Sequence, residues 1–451
     1  MKSANDPGNL DMHVVTDQML QVIGRGGGSP DPIPMLIAGQ RSKQRLLLRA
    51  VIDSAAAVDH IEMQMATDGY RLLTQLEHFA SDAVERVLRY PAVGAWALHT
   101  VLGLQSKPPA AVSPGRLATV AAAAAIHAAL PCEIELPPPV AGAIEFPSLG
   151  RLYLPENFLA GPLWLRSDGK TVELLGPGGC LALPSRSESE ASNWLTIPII
   201  TAGQGSLQIA VAFDFVDPCR FPGHRGVLES LPKSELERWL RRLTRACNLL
   251  IRHHHETARE VAALIVAVTP LARPSQGQVS ASSRRAFGSI ALSLPADDVS
   301  LALALAHEVQ HAKLSALMDL VPLVSATGRD RFYAPWREDA RPLAGLLQGV
   351  YAHIGIAEFW RHHRLLLREP AEMHRAHTEF ARWRDAAASC VRFLSERPEL
   401  TKGGRLFTAA MAGRLSTLLS DFVPVAAQED ADRAAKEHRE RWLHRHGRTA
   451  Q

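Results

Sequence analysis

Residues 287–320 read FGSIALSLPADDVSLALALAHEVQHAKLSALMDL. Residues 287–294 are a short apolar run after a Ser/Arg loop, which predicts a strand. Asp297-Asp298 offers an N-cap, and residues 299–320 then read as one apolar helix. That helix carries His307-Glu308-Val309-Gln310-His311. Residues four apart on a helix lie about 40° apart around its axis. Both imidazoles can therefore address one metal ion, and Glu308, about 60° beyond His311 round the axis, can address the same ion's solvent side. This is the HExxH pattern, in which the carboxylate of zinc peptidases acts as general base on a metal-bound water. With 19 histidines in 451 residues, composition alone predicts roughly 0.04 such matches. The bland alternative is an exposed helical His pair with an incidental Glu.

Outward from this helix the chain changes character several times. Residues 40–130 carry apolar positions at helical spacing, among them Leu46, Val51, Leu72, Leu76, Val84 and Val87. Pro91 interrupts that run. The cluster Gly24-Arg25-Gly26-Gly27-Gly28-Ser29-Pro30 lacks the Gly-Lys-Ser/Thr of a phosphate loop and reads as a turn. Residues 131–225 are rich in Pro, Gly and β-branched runs; Ile209, Val211, Phe213 and Phe215 alternate as in a strand. From Ser234 the helical period returns with Leu236, Leu240, Leu243, Cys247 and Leu250, in a helix expected to reach about Val268. Further helices are expected near 342–367, 371–396 and 404–421. The charged tail from Gln428 reads as a solvated helix or frayed end. The expected fold is α+β and mainly helical. Its segments are a helical N-terminal region (1–130), a β-rich segment suited to peptide binding (131–225), a helical catalytic region (226–425) and a charged tail (426–451).

Composition narrows the function. The chain is 47% hydrophobic and 21% charged, with 31 Gly and 30 Pro. That excludes bulk disorder, collagen and coiled coil. Lys and Arg total 49 against 46 acidic residues, so no nucleic-acid footprint is expected. Cys132, Cys180, Cys219, Cys247 and Cys390 form no CxxC pair, which speaks against a structural zinc knuckle or a local iron–sulfur motif. An odd, scattered set suits a reducing compartment. With no apolar run of about 18 residues and no signal-peptide pattern at the start, a cytoplasmic protein with no membrane span is expected.

A metal held by His307 and His311 needs a third ligand. The Gly and third His of the short metzincin extension are absent. His353 shares a helical stripe with Leu346 and Val350 and points inward, which makes it one candidate; Glu358, on the same following helix, is the other. The cluster His253-His254-His255-Glu256 spreads its side chains 100° apart and reads as a solvated face. Between motif and His353 lies Arg331-Phe332-Tyr333-Ala334-Pro335-Trp336-Arg337-Glu338-Asp339-Ala340-Arg341-Pro342. Its arginines form either an anion clamp, since a guanidinium binds a carboxylate in bidentate fashion, or surface pairs such as Arg337–Glu338 and Asp339–Arg341.

Residues 306–323 (AHEVQHAKLSALMDLVPL) and 333–360 (YAPWREDARPLAGLLQGVYAHIGIAEFW) resemble the bacterial HExxH-motif proteins of peptide natural-product maturation, regarded as 2-oxoglutarate-dependent peptide β-hydroxylases. The likeness is strongest over 285–365 and looser through Arg89-Tyr90-Pro91-Ala92-Val93-Gly94-Ala95-Trp96. Some relatives are fused to radical-SAM maturases; this chain lacks that cysteine motif and looks like the stand-alone form. The resemblance implies Fe(II) held by His307, His311 and His353, with 2-oxoglutarate as cosubstrate and O2 as oxidant. The distal carboxylate of 2-oxoglutarate would lie on Arg337 or Arg341. It also implies a ribosomally made precursor peptide hydroxylated at Cβ, with a radical-SAM maturase as a further partner. Glu308 would then orient a ligand or bound water rather than act as a hydrolytic base. The common non-haem iron site has two His and one carboxylate, so Glu358 or Glu308 as the carboxylate ligand stays open. The alternatives are a zinc metallopeptidase with Glu308 as general base, and a non-enzymatic peptide-binding partner with a decayed site.

Overall fold

In the computed structural model, which describes residues 13–26, 32–184, 193–275, 277–325 and 330–447, the N-terminal apolar periodicity resolves into six helices. They are α1 (Asp17–Gly24), α2 (Ile33–Ala57), α3 (Met63–Phe79), α4 (Ser81–Leu88), α5 (Pro91–Gln105) and α6 (Arg116–Ala128). Pro91 opens α5 at its first position, where a missing N–H costs nothing. Residues 27–30 of the expected glycine turn lie outside the described residues.

Nine strands follow: β1 (Pro131–Leu136), β2 (Ala143–Phe146), β3 (Gly150–Tyr153), β4 (Leu163–Asp168), β5 (Val172–Gly176), β6 (Gly179–Ala182), β7 (Trp194–Thr196), β8 (Ile199–Gln204) and β9 (Leu207–Phe213). Next come α7 (Lys233–His253), α8 (His255–Leu264), β10 (Ala267–Leu271), β11 (Ser280–Ser282) and β12 (Ser289–Ser293). The chain ends in α9 (Asp298–Leu320), α10 (Leu343–His363), α11 (Pro370–Ser395), α12 (Lys402–Ser420) and α13 (Val425–His446). The fold is α+β and mainly helical, with 55% helix and 15% strand. No helix among the described residues is long and apolar enough to cross a membrane.

The chain divides into two compact units, each assembled from stretches far apart in sequence. One comprises residues 41–252 and 258–304. In it β1-β4-β5-β6 form an antiparallel sheet and β2-β3-β7 a second. A third sheet, β11-β12-β10-β9-β8, has β10 parallel to both β9 and β12. Every residue of β10 and β12 is buried, as parallel strands covered on both faces require. The helix expected to reach Val268 ends earlier: α7 and α8 are separate, and Val268 lies in β10. Three apolar residues in a row, Leu264-Ile265-Val266, fit either reading by periodicity; the pairing of Ala267–Leu271 with β12 decides for strand.

A buried polar network ties this unit together. Asp214 accepts from the Tyr90 hydroxyl at 2.6 Å and from the N–H groups of Val216 and Asp217 at 2.9 Å each. Asp217 in turn takes the Arg116 guanidinium at 2.6 Å. Burial, then the neighbouring Asp217, pushes the Asp214 carboxyl up from its usual range. Tyr90 is thus a structural anchor.

The other unit comprises residues 1–40, 253–257 and 305–451. Its core is α10 against α11 and α12, with Leu346, Leu347, Val350, Ile354, Phe380 and Phe407 essentially inaccessible. The carbonyls ending α12 need partners; the buried Arg384 donates to Leu418 O at 3.0 Å and Asp421 O at 2.8 Å. The tail is a docked helix rather than a frayed end. Trp442 of α13 is buried against Tyr333 with ring centroids 5.2 Å apart, Tyr333 bonds His438, and Glu338 pairs with Arg445. One aromatic in 22 helical residues was too sparse a signal for periodicity to find.

Candidate metal centre

The helix α9 places His307 and His311 on one face, and their Nε2 atoms lie 3.2 Å apart. The rings meet edge to face, centroids 4.7 Å apart at 84°. Nitrogens each about 2.1 Å from a common ion and 3.2 Å apart subtend roughly 100° at that ion. Tautomers are set from outside. Gln348 of α10 donates its amide N–H towards Ser315 Oγ (3.5 Å) and Met318 Sδ (3.4 Å), which turns its Oε1 to His311 Nδ1 at 3.1 Å. His311 Nδ1–H therefore donates, and the Nε2 lone pair faces His307.

His353 is brought in by α10. Gly355 makes the approach possible, because a Cβ there would lie 2.7 Å from Gln310 Cγ and 3.3 Å from Ala306 O of α9. The His353 Nδ1–H donates to Gly349 O at 2.7 Å, which leaves Nε2 as acceptor. Its ring lies 5.2 Å from that of His307, at 79°. Trp336 stacks on it at 4.3 Å and 19°, and Trp383 of α11 flanks it at 4.9 Å. Gly349 makes room for Trp336, whose ring would be 2.5 Å from an added Cβ. Burial pushes the His353 imidazole down to about 3; the Gly349 carbonyl opposes this, while His311 and Arg382 add to it. His307 is lowered well below its ordinary value by burial and then by His311 and His353. The His307 and His353 rings are thus inclined to the neutral form that a metal requires.

The remaining carboxylates differ. The Glu308 side chain is 1% exposed, and its Oε1 is 3.9 Å from His307 Nε2. Glu358 pairs with Arg414 and lies 3.8 Å from Arg361. It stands five residues from His353, about 140° round the helix. Arg337 and Arg341 both bind one carboxylate, Asp339, at 2.8 and 3.0 Å, at side-chain exposures of 52 and 34%. Asp339 is correspondingly held below its usual range; burial acts upward, but the two arginines outweigh it. Phe332 and Arg341 exchange backbone hydrogen bonds of 2.8 and 2.9 Å that close the loop carrying Trp336.

The fit to a metal is therefore partial. The chemistry of the donor set, the 3.2 Å separation and the anchored Nδ1 of His311 suit a divalent transition metal at His307 and His311. Among the described residues no group of three or more His, Cys, Asp or Glu side chains has its donors gathered for one ion. His353 thus stands beside the pair as a ring in contact, and ligation by it requires a side-chain adjustment. No protein-family model and no curated protein matches the chain.

Four residues at the site escaped sequence reasoning as site residues: Gln348, Trp336, Trp383 and Arg382. The Arg382 guanidinium lies 4.4 Å over the Trp383 ring, with Glu379 at 4.0 Å. No local spacing links α11 to the motif, so only the fold could reveal Trp383 and Arg382. Two residues that carry the family likeness have structural tasks: Lys313 is buried and donates to Gly26 O at 3.0 Å, and Asp319 accepts from Gln40 at 2.8 Å. The His253–His255 cluster is not uniformly solvated, since His254 is buried flat against Phe359, centroids 4.2 Å apart. Periodicity within α7 and α8 cannot see Phe359, 105 residues away.

Proposed function

We propose that the chain is an Fe(II)- and 2-oxoglutarate-dependent oxygenase that hydroxylates Cβ of a residue in a ribosomally made peptide. The observation that carries this reading is the contact of a third neutral imidazole, His353, with the HExxH pair. The likeness of residues 285–365 to peptide β-hydroxylases supplies the choice of iron and cosubstrate. His307, His311 and, after adjustment, His353 would hold the iron. Bound there, the metal would supply the oxidising chemistry that couples decarboxylation of 2-oxoglutarate to C–H hydroxylation. Gln348 and the Gly349 carbonyl keep the Nε2 atoms of His311 and His353 unprotonated, and Trp336 and Trp383 exclude water from one side of His353. Arg337 and Arg341 are candidates for the distal carboxylate of the cosubstrate only in competition with Asp339; Arg382 is a third. The five cysteines are free thiols, which supports a reducing cytoplasmic setting, with a radical-SAM maturase as a partner on the same peptide.

One observation favours a second reading. Glu308 Oε1 lies 3.9 Å from His307 Nε2, the neighbourhood in which a zinc peptidase needs its general base. Anaerobic loading with Fe(II), followed by 2-oxoglutarate, O2 and a candidate peptide, separates the two. Peptide-stimulated succinate with a one-oxygen mass gain is the expected result. Peptide cleavage by the zinc-loaded protein without succinate overturns it. Glu308→Gln should abolish such cleavage, whereas hydroxylation should survive at a reduced rate.

A further inference from the structure

A cavity of about 350 Å³ lies in the unit built on residues 41–252 and 258–304. Its floor is the carboxyl ends of two parallel strands, with Leu271 finishing β10 and Leu294 and Pro295 following β12. Trp239 of α7 and Leu228 complete the apolar part. In open sheets with parallel strands, ligands bind outside those carboxyl ends.

The rim is cationic. Arg238 and Arg242 stand one turn apart on α7, and Arg273 follows β10. Arg242 is committed: it donates to Pro295 O at 2.7 Å and lies 3.3 Å from Asp298. Arg238 faces Glu235 at 3.7 Å, in an exposed pair that holds little energy. Arg273 is exposed and has no acidic partner among the described residues. Glu235 is the one carboxylate among the lining residues and Asp298 holds Arg242 from beyond them, which leaves the Arg273 charge unmatched. The complement is a single carboxylate on an apolar body, held in bidentate fashion.

We propose that this cavity binds an acidic residue flanked by apolar residues in the protein's peptide substrate, with Arg273 and Arg238 on the carboxylate and Leu271, Leu294 and Trp239 under its neighbours. That the ligand is a peptide rests on the function proposed above; the carboxylate and apolar requirements rest on the cavity alone.

The test uses the full chain without iron or cosubstrate, so that loss of the oxygenase reading and loss of this site are told apart. A fluorescein-labelled peptide alternating leucine and glutamate is titrated by anisotropy, beside its leucine–glutamine twin. The glutamate peptide should bind about tenfold or more tighter, and Arg273→Glu should remove about that factor, with Arg273→Lys keeping only part of it because an ammonium cannot form the bidentate pair. Equal affinity of the twins, or unchanged affinity in Arg273→Glu, overturns the proposal. Displacement by hexanoate or N-acetylglutamate at the peptide's own concentration would assign the cavity to a small carboxylate and overturn the peptide occupant. A peptide that binds here in wild type but is never oxidised would refute the proposed function and leave the site standing.

Discussion

Two histidine groups share α10 yet arrange their rings in opposite ways. His353 and His307 meet at 79°, and His307 and His311 at 84°. Ten residues further along the helix, His363 and His254 lie nearly parallel, at 22°, and His254 is stacked on Phe359 at 6°. An imidazole lone pair lies in the plane of its ring. Rings set edge to face can aim lone pairs at one point; stacked rings send them out in separate, parallel planes. In the first group the Nδ1 atoms of His311 and His353 are anchored by Gln348 and Gly349 O, while His307 Nδ1 is buried with no hydrogen-bond partner among the described residues. In the second, His254 Nε2 and His363 Nδ1 are buried with no hydrogen-bond partner. Both groups contain buried histidine; the edge-to-face His307 ring and the anchored Nδ1 atoms of His311 and His353 distinguish the candidate metal centre, whereas His254 lies flat on Phe359 and near-parallel to His363.

The largest expected effect breaks the comparison directly. His307→Ala, His311→Ala and His353→Ala should each weaken Fe(II) or Zn(II) binding by more than about 100-fold, because loss of an orienting neighbour alone costs 10–100-fold. His254→Phe should leave it unchanged. Anaerobic metal titration followed by elemental analysis reads both. If His353→Ala binds metal as wild type does, the third ligand is elsewhere.

Next in size is Gln348→Ala. His311 would lose the acceptor that fixes its tautomer, and metal affinity should fall about 10–100-fold. Unchanged affinity would mean that Gln348 only fills space. Gly349→Ala comes third. Its methyl would enter the Trp336 ring, and overpacking of this kind costs about 1–3 kcal/mol. The melting temperature should fall, and Trp336 fluorescence should show a ring moved off His353.

Legibility in the sequence followed the range of the interactions. The motif helix, its Asp297 cap and the strand before it are local, and α9 carries the cap bond Ser300 N–H to Asp297 Oδ1 at 2.7 Å. The inward direction of His353 was readable because α10 is apolar almost all round, and Gly349 to Ile354 are all buried. The partners of His353 were not: Trp336 comes from a closed loop and Trp383 from α11, and no periodicity connects them. The arginine loop showed the opposite limit. Its charges were visible, but Asp339 takes both Arg337 and Arg341, and which of several adjacent charges pair is decided by backbone closure at Phe332 and Arg341. His254 was misread because a helix face is solvated only where nothing else covers it, and Phe359 covers this one.

The smallest effect tests the other half of the comparison. Burial first, then the charges of His363, His362, His253 and His255, push His254 from 6.5 down to about 3. Above pH 6.5 both folded and unfolded chains hold this ring neutral, so it contributes no slope. Between 6.5 and about 3 the unfolded chain takes up a proton that the folded one refuses. Stability therefore falls with pH in that window, by at most about 1.4 kcal/mol per unit for this group. His254→Phe keeps the stack on Phe359 and removes the proton site. Urea unfolding at pH 6.5, 5.8 and 5.0, each pH an approximate setting inside the window, should show a shallower loss in the variant, by about 1 kcal/mol per unit. Parallel slopes would mean that His254 is protonated in the folded chain, and the stacked group would then be a charged cluster rather than an aromatic one.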